Sequence, residues 1–110
     1  MNNLKILIKK TPLRSMNNIN LLIDYQAELT KSAKIYKGYI DSESYFAYTY
    51  DDNLSPIYNV SNWKNHNSWM NWLNSNERKI IYNKYNHIIK NEKFYILSNR
   101  KENDDDIFLL

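Results

Sequence analysis

The stretch AKIYKGYIDSESYFAYTY, residues 33–50, decides the fold because a helix is predicted to end and a strand to begin within it. It contains Gly38, the only glycine of the chain, at a position where helices commonly end in left-handed backbone geometry. Lys34 and Lys37 fall in the predicted last turn, where the helix dipole favours cations. The aromatic and hydroxyl-bearing residues after Gly38 are typical of a strand.

Two elements are predicted before this boundary. Residues 4–8 alternate as a strand, with Leu4, Ile6 and Ile8 on one face. An amphipathic helix of about five turns follows, capped by Ser15 or Asn17. Its buried stripe is predicted to consist of Ile19, Leu22, Gln26, Leu29, Ala33 and Tyr36, widened by Leu21 and Tyr25.

Two strands joined by a turn are predicted after Gly38. In the strand over residues 39–50, strict alternation places Ile40, Ser42, Ser44, Phe46 and Tyr48 on one face and Tyr39 on the other. Asp51, Asp52 and Asn53 favour a turn. Pro56 opens the next strand, over residues 57–63, where a proline at the first position is tolerated.

A second helical region and a last strand complete the chain. The helix begins after Asn65 or Asn67, and it is interrupted near residues 74–76 because Ser and Asn favour caps over helix interiors. Its stripe then continues to Lys90, and residues 94–98 form the last strand.

The predicted order is β-α-β-β-α-β, which indicates an α+β, ferredoxin-like domain with an antiparallel sheet covered by helices on one face. We assign residues 1–100 to this domain and residues 101–110 to a polar, acidic tail. The second face of the sheet also carries Tyr, Ile and Phe. Because such a face is poorly suited to water, a homodimer that buries it is expected.

Composition excludes several classes of function. The 110 residues contain no cysteine and two histidines, so a thiolate zinc site, a cysteine nucleophile and an all-histidine metal site are not expected. The net charge of +3 is dispersed, which argues against nucleic acid as a partner. No apolar run is long enough to span a membrane, and the N-terminus is a poor signal peptide, so a cytoplasmic protein is expected.

Three segments carry a resemblance to a known family. They are residues 38–44, residues 57–63, and the run Trp63, Trp69, Trp72, Ser75 and Arg78. Over roughly residues 4–98 the chain resembles the antibiotic biosynthesis monooxygenase family of small dimeric α+β barrels. The resemblance implies a homodimer and an apolar pocket for a small aromatic or polyketide-like molecule, which cofactor-independent members oxidise. Haem-degrading members place a haem-ligating histidine where this chain has Tyr82, so the resemblance favours no cofactor over haem.

The residues proposed to surround this pocket are Trp63, Trp72, Arg78, Tyr82, Tyr45 and His66. Each also has a plainer interpretation. The tryptophans can simply pack in the core or the dimer interface. Arg78 can pair with a carboxylate such as Asp41, and His66 can lie exposed in a first helical turn. The sequence assigns no catalytic residue, because no histidine has a carboxylate at helical spacing.

Two other functions compete with a monooxygenase. A non-catalytic dimeric ligand-binding protein would explain the missing acid–base pair. RNA-recognition domains share the same element order, but only residues 37–39 match their strand signature, and Asp41 and Glu43 would repel phosphate.

Overall fold

The structure is a computed structural model that describes residues 3–13, 19–48 and 54–98. The strands are β1 (Leu4–Pro12), β2 (Tyr39–Tyr48), β3 (Leu54–Trp63) and β4 (Ile89–Leu97). The helices are α1 (Ile19–Lys34), α2 (His66–Leu73) and α3 (Asn76–Tyr85), with a 3-10 turn at Asn86–Ile88. The predicted cap at Ser15 or Asn17, the turn at residues 51–53 and the tail at residues 101–110 lie outside the described residues.

The four strands form one antiparallel sheet in the order β2-β3-β1-β4. β1 lies in the interior of the sheet, between β3 and β4. In this register Lys10 stands opposite Ile57 on one side and Glu92 on the other. The arrangement confirms the predicted α+β, ferredoxin-like class, with the second helical region divided into α2 and α3.

One face of the sheet, called here the inner face, packs against the helices. β1 turns Ile6 and Ile8 inward, and β3 turns Ile57 and Trp63 inward. α1 buries five of the eight residues of the predicted stripe, which are Leu22, Tyr25, Gln26, Leu29 and Ala33. The other three, Ile19, Leu21 and Tyr36, are half-buried. The burial of these apolar side chains is the main favourable contribution to folding.

The break between α2 and α3 occurs where the sequence predicted it. Asn65 caps α2, and its side chain accepts a hydrogen bond from the backbone N–H of Ser68 at 2.9 Å. Ser75 caps α3 in the same way, accepting from Arg78 N at 3.2 Å. Because each cap satisfies an otherwise unpaired N–H, two short helices form instead of one long helix.

Three strands are longer than predicted. β1 continues to Pro12, β3 begins at Leu54, and β4 begins at Ile89, not at residue 94. Lysines in the extensions of β1 and β4, and Asn91 in β4, hid these two extensions from a hydrophobicity pattern. Pairing of β1 with both β3 and β4 provides the backbone hydrogen bonds that such polar residues need to stay extended.

The predicted alternation in β2 was wrong at its start. A register shift between Tyr39 and Asp41 brings Tyr39 to the inner face, where its ring packs edge-on against Trp63 at 5.4 Å. Ile40 is left 44% exposed. A bulge adds one residue to a strand and thereby changes which side chains share a face, and a strict period of two cannot predict it.

Gly38 confirms the predicted boundary. α1 ends at Lys34, and Gly38 adopts a φ of +95°, a conformation that L side chains rarely adopt. Its carbonyl accepts a hydrogen bond from Lys64 N at 2.7 Å. A Cβ at this position would lie 2.1 Å from Ser68 Oγ, so the start of α2 packs directly on the glycine. Lys31 and Lys34, not Lys37, occupy the last turn of the helix.

We predict that Gly38→Ala lowers the free energy of unfolding by about 2–5 kcal/mol, because it combines backbone strain with a steric clash. Urea unfolding followed by circular dichroism measures the loss. In the double variant Gly38→Ala/Ser68→Gly, compared with Ser68→Gly alone, the loss should shrink but persist, because the positive φ remains. A fully stable Gly38→Ala protein would contradict this account.

Candidate functional site

A small interior space lies between the inner face of the sheet and helix α1. Its apolar wall includes Leu29, Trp63 and Trp72, and its polar wall includes Lys10 and Asn59. The space measures about 10 Å³, roughly enough for one water molecule. The sequence predicted an apolar pocket beside Trp72. The location agrees, but the wall is partly polar because the inward positions of β1 and β3 include lysine, asparagine and serine.

The two indoles of the wall are held firmly. Trp63 and Trp72 stack with ring centroids 5.7 Å apart and planes 26° apart. Trp63 Nε1 donates to Ser61 Oγ at 3.0 Å, and Trp72 Nε1 donates to Ser32 Oγ at 2.9 Å. Because both N–H groups have partners, the rings present apolar faces in defined orientations, which suits contact with a flat ligand.

Asn59 supplies a fixed amide to the polar wall. It lies on the inner face of β3 and is 5% exposed. Its Nδ2 donates to Ser44 Oγ at 3.0 Å and to the Glu43 carbonyl at 3.3 Å, both on β2. These two bonds orient the side chain across the β2–β3 pair.

Lys10 is the most unusual residue of the wall, because its side chain is almost completely buried at 1% exposure. Its Nζ donates to Gln26 Oε1 at 2.7 Å and lies 5.6 Å from the centre of the Tyr25 ring. Burial lowers the pKa of Lys10 to about 8, although the nearby Glu92 carboxylate opposes this shift. The amine therefore titrates close to neutral pH.

A charged cluster lies beside this wall. Glu92 accepts hydrogen bonds from Tyr25 Oη at 2.5 Å and from Arg78 Nη2 at 3.0 Å, and its ion pair with Arg78 is nearly inaccessible to solvent. Burial and the Glu92 carboxylate raise the pKa of Tyr25 above its ordinary value, so this phenol stays protonated. The guanidinium also lies 5.4 Å from the centre of the Trp72 ring, which connects the cluster to the indole wall.

The predicted site residues fall into two groups. Trp63 and Trp72 line the interior space, and Arg78 packs against Trp72. Tyr45, Tyr82 and His66 are not among the side chains that line it. The suggested pairing of Arg78 with Asp41 was wrong: the partner is Glu92, and Asp41 instead accepts from Asn62.

The three outlying residues lie at different places on the surface. Tyr45 is 54% exposed on the outer face of the sheet and donates to Glu43 on the same strand. Tyr82 is 37% exposed on α3. His66 is exposed at the start of α2, with its ring edge-on to Trp69 at 5.8 Å.

Sequence reasoning missed Lys10 and Asn59 as site residues. The signal was the strand period of two. Lys10 continues the inward series of Ile6 and Ile8, and Asn59 stands between Ile57 and Ser61 in the inward series of β3. Polar residues at inward strand positions are candidates for a site, since burying them is costly unless they have a partner.

Over residues 3–13, 19–48 and 54–98, no group of three or more His, Asp or Glu side chains could hold a metal ion. No helix in these ranges is long and apolar enough to cross a membrane.

Comparison with solved structures identifies the fold. The cofactor-independent oxygenase SnoaB from Streptomyces nogalater superposes with a TM-score of 0.71 over 93% of this chain and 97% of that chain, at 11% identity. A conserved protein from Methanosarcina mazei Go1 gives a TM-score of 0.71 over 91% and 95%, at 16% identity. An antibiotic biosynthesis monooxygenase gives 0.70 over 89% and 99%, at 7% identity.

The chain therefore has the fold of the antibiotic biosynthesis monooxygenases, which confirms the predicted resemblance at the level of structure. No family model matches the sequence, and no curated protein matches it.

We predict that Lys10 makes stability depend on pH. Between pH 8 and 10.5 the unfolded chain binds more protons at this residue than the folded chain does, so the free energy of unfolding rises with pH. The full rise from this group is roughly 3 kcal/mol. Urea unfolding at pH 7 and pH 10.5 should show that the wild type gains stability relative to Lys10→Met over this range, because the tyrosines whose pKa is raised, such as Tyr25, are present in both proteins.

Lys9→Met is the matched control, because Lys9 is the adjacent residue of β1 and faces away from the helices. The free energy of unfolding of Lys9→Met should depend on pH as that of the wild type does. Parallel pH profiles for wild type and Lys10→Met would show that Lys10 titrates normally.

Proposed function

We propose that this protein binds a small planar aromatic molecule with a phenolic or enolisable group behind Trp72 and oxidises it with molecular oxygen, without a bound cofactor. The observation that carries the proposal is the stacked pair of indoles, Trp63 and Trp72, which faces buried polar groups on the sheet. The fold, shared with a cofactor-independent oxygenase, supports it.

The walls suit such a ligand chemically. The indoles offer flat apolar surface for stacking, and the opposite wall offers the amide of Asn59 and the amine of Lys10. The space of about 10 Å³ is too small for an aromatic ring, so binding requires side chains to retract.

The proposed reaction converts a ring CH₂ and O₂ into C=O and H₂O. The substrate loses a proton, and its carbanion supplies the electrons that reduce oxygen. The protein then has three tasks, which are to accept the proton, to donate hydrogen bonds to the developing oxyanion and to exclude water. No step of this sequence calls for a metal or haem.

A non-catalytic ligand-binding protein is the second candidate. The small size of the closed space favours it, because side chains already fill most of the volume that a substrate would need. Haem binding gains little support. The resemblance places the haem-ligating histidine of haem-degrading members at the position of Tyr82, and Tyr82 is partly exposed and lies outside the space. A cofactor-free reaction and a cytoplasmic location stay predictions.

We predict that Trp72→Phe weakens binding of an anthrone-type phenol about tenfold, because stacking area is lost. Calorimetric titration measures binding, and an oxygen electrode measures turnover. Trp69→Phe is the matched control, since Trp69 is equally buried but does not line the space, and its affinity should stay within about twofold of the wild type.

These measurements separate the two candidates. Binding that consumes oxygen supports the oxygenase, and binding without oxygen consumption supports the ligand-binding protein. If the phenol binds neither the wild type nor the variants, both forms of the proposal are wrong.

We also propose a homodimer formed through the outer face of the sheet. Leu7, Val60 and Tyr95 place apolar surface there, and Tyr95 is 43% exposed in the single chain. Lys5 lies on β1, while Glu43 lies on the edge strand β2, and both border an outer depression of about 290 Å³. A two-fold axis that lies between the two sheets, parallel to their planes, would bring the two outer faces together.

We predict that Tyr95→Glu makes the protein monomeric at micromolar concentration, because it adds a charge to the apolar contact that the dimer would bury. Analytical ultracentrifugation measures the mass. Ile80→Glu is the control, since Ile80 is 68% exposed on α3, away from the outer face. A wild type that is monomeric at this concentration would refute the dimer.

A further inference from the structure

We propose that Lys10 is the residue that takes the proton from an acidic hydroxyl of the ligand and then holds the resulting oxyanion. This inference rests on the proposed function, because the ligand must occupy the same interior space. It goes further by naming the proton acceptor and by restricting the ligand to molecules with a phenolic or enolic O–H.

The position of Lys10 brings its amine to the space from the sheet side. The residue follows Ile8 by two positions on β1, so its side chain points to the inner face and lines the space. Trp63 and Trp72 border the same space. A ring stacked on the indoles would therefore have its substituents within the region that the amine borders.

Among the residues that the structure describes, Lys10 is buried without forming an ion pair. Glu92 stands directly opposite on β4, but its Oε1 accepts from Tyr25 and its Oε2 accepts from Arg78. Among the described residues the ion pairs are Arg78–Glu92 and Lys84–Glu28, and neither includes Lys10. Because Arg78 already balances Glu92, a protonated Lys10 adds an unbalanced buried charge.

A buried ammonium group without a counter-ion is costly, so the amine either releases its proton or pairs with a bound anion. The groups that act on it are Glu92 from β4, Arg78 from α3 and Tyr25 from α1. Burial and Arg78 lower the pKa of Lys10, and Glu92 raises it, with a result of about 8. A substantial fraction of the Lys10 amine is thus unprotonated near physiological pH, as a base requires.

Gln26 orients the amine. Its Nε2 donates to Thr30 Oγ1 at 3.2 Å, which directs its Oε1 toward Lys10. That oxygen accepts one N–H of Lys10 and leaves the other valences of the nitrogen for a ligand. Gln26 is therefore a positioning residue, and it was the one polar member of the predicted α1 stripe.

The proton-transfer step is balanced without an oxidant. The O–H bond of the ligand breaks, its electron pair stays on oxygen, and a new N–H bond forms at Lys10 Nζ. The products are an ammonium group and a phenolate or enolate. The ammonium group formed in this step has the oxyanion as its counter-ion, and the oxyanion holds the electron density that a later reaction with oxygen would use.

The test uses 4-nitrophenol, a planar phenol whose phenolate absorbs at longer wavelength than its neutral form. At pH 6, the bound probe should show the phenolate band in the wild type and in the control Lys9→Met. Lys10→Met should bind about tenfold more weakly and show only the neutral band, because a charge-assisted hydrogen bond is lost. Lys10→Arg should retain the phenolate band, since it keeps the cation.

A second measurement follows the lysine itself. With ¹³C-labelled lysine, the Cε resonance that disappears in Lys10→Arg belongs to Lys10. Its titration midpoint should lie near pH 8 in the free protein and should move upward when the probe binds. This measurement decides the question in the wild type even if Lys10→Met does not fold.

The outcomes are distinct. If wild type and Lys10→Met bind the probe with the same affinity and spectrum, Lys10 has no such role, while the proposed ligand site stands. If the Lys10 midpoint does not respond to the bound probe, the inference is likewise overturned. If the probe does not bind the wild type at all, the proposed site is wrong and the inference falls with it.

Discussion

The interior of this protein depends on the contacts that the Glu92 carboxylate makes with Tyr25 and Arg78. It accepts a hydrogen bond from Tyr25 of α1 and forms an ion pair with Arg78 of α3, so three elements meet at one buried group. Removing one partner of such a pair costs about 3–5 kcal/mol, because the other charge is left buried and unpaired. The contact therefore determines where both helices lie on the sheet.

The aromatic wall of the candidate site follows from this constraint. Arg78 packs on the ring of Trp72, and Trp72 in turn stacks on Trp63. Since both oxygens of the carboxylate already accept hydrogen bonds from Tyr25 and Arg78, Glu92 only partly offsets the burial of Lys10, which stands beside it in the sheet. One ion pair thus both supports the aromatic wall and leaves a buried amine available for a ligand. A fold shared with oxygenases becomes a candidate active site through these particular side chains.

Much of the fold was predictable from local patterns. The period of α1, the caps before α2 and α3 and the single glycine each act over a few residues, so the sequence alone indicates them. The ends of β1 and β4 were not predictable, because Lys10 and Glu92 resemble surface residues until pairing in the sheet buries them. The bulge after Tyr39 reversed one predicted face for a similar reason, since it depends on alignment with β3.

The same distinction between local patterns and long-range pairing applies to the candidate site. The sequence by itself determined the element order and the Gly38 boundary, because periodicity and backbone preference are local. The family resemblance, not the periodicity, implied that Trp63 and Trp72 lie near a pocket. Only the tertiary structure decided that Glu92 is the partner of Arg78, that Gln26 meets Lys10, and that Tyr82 lies outside the space. These contacts join residues distant in the chain, and pairing between distant residues is set by how the helices pack on the sheet.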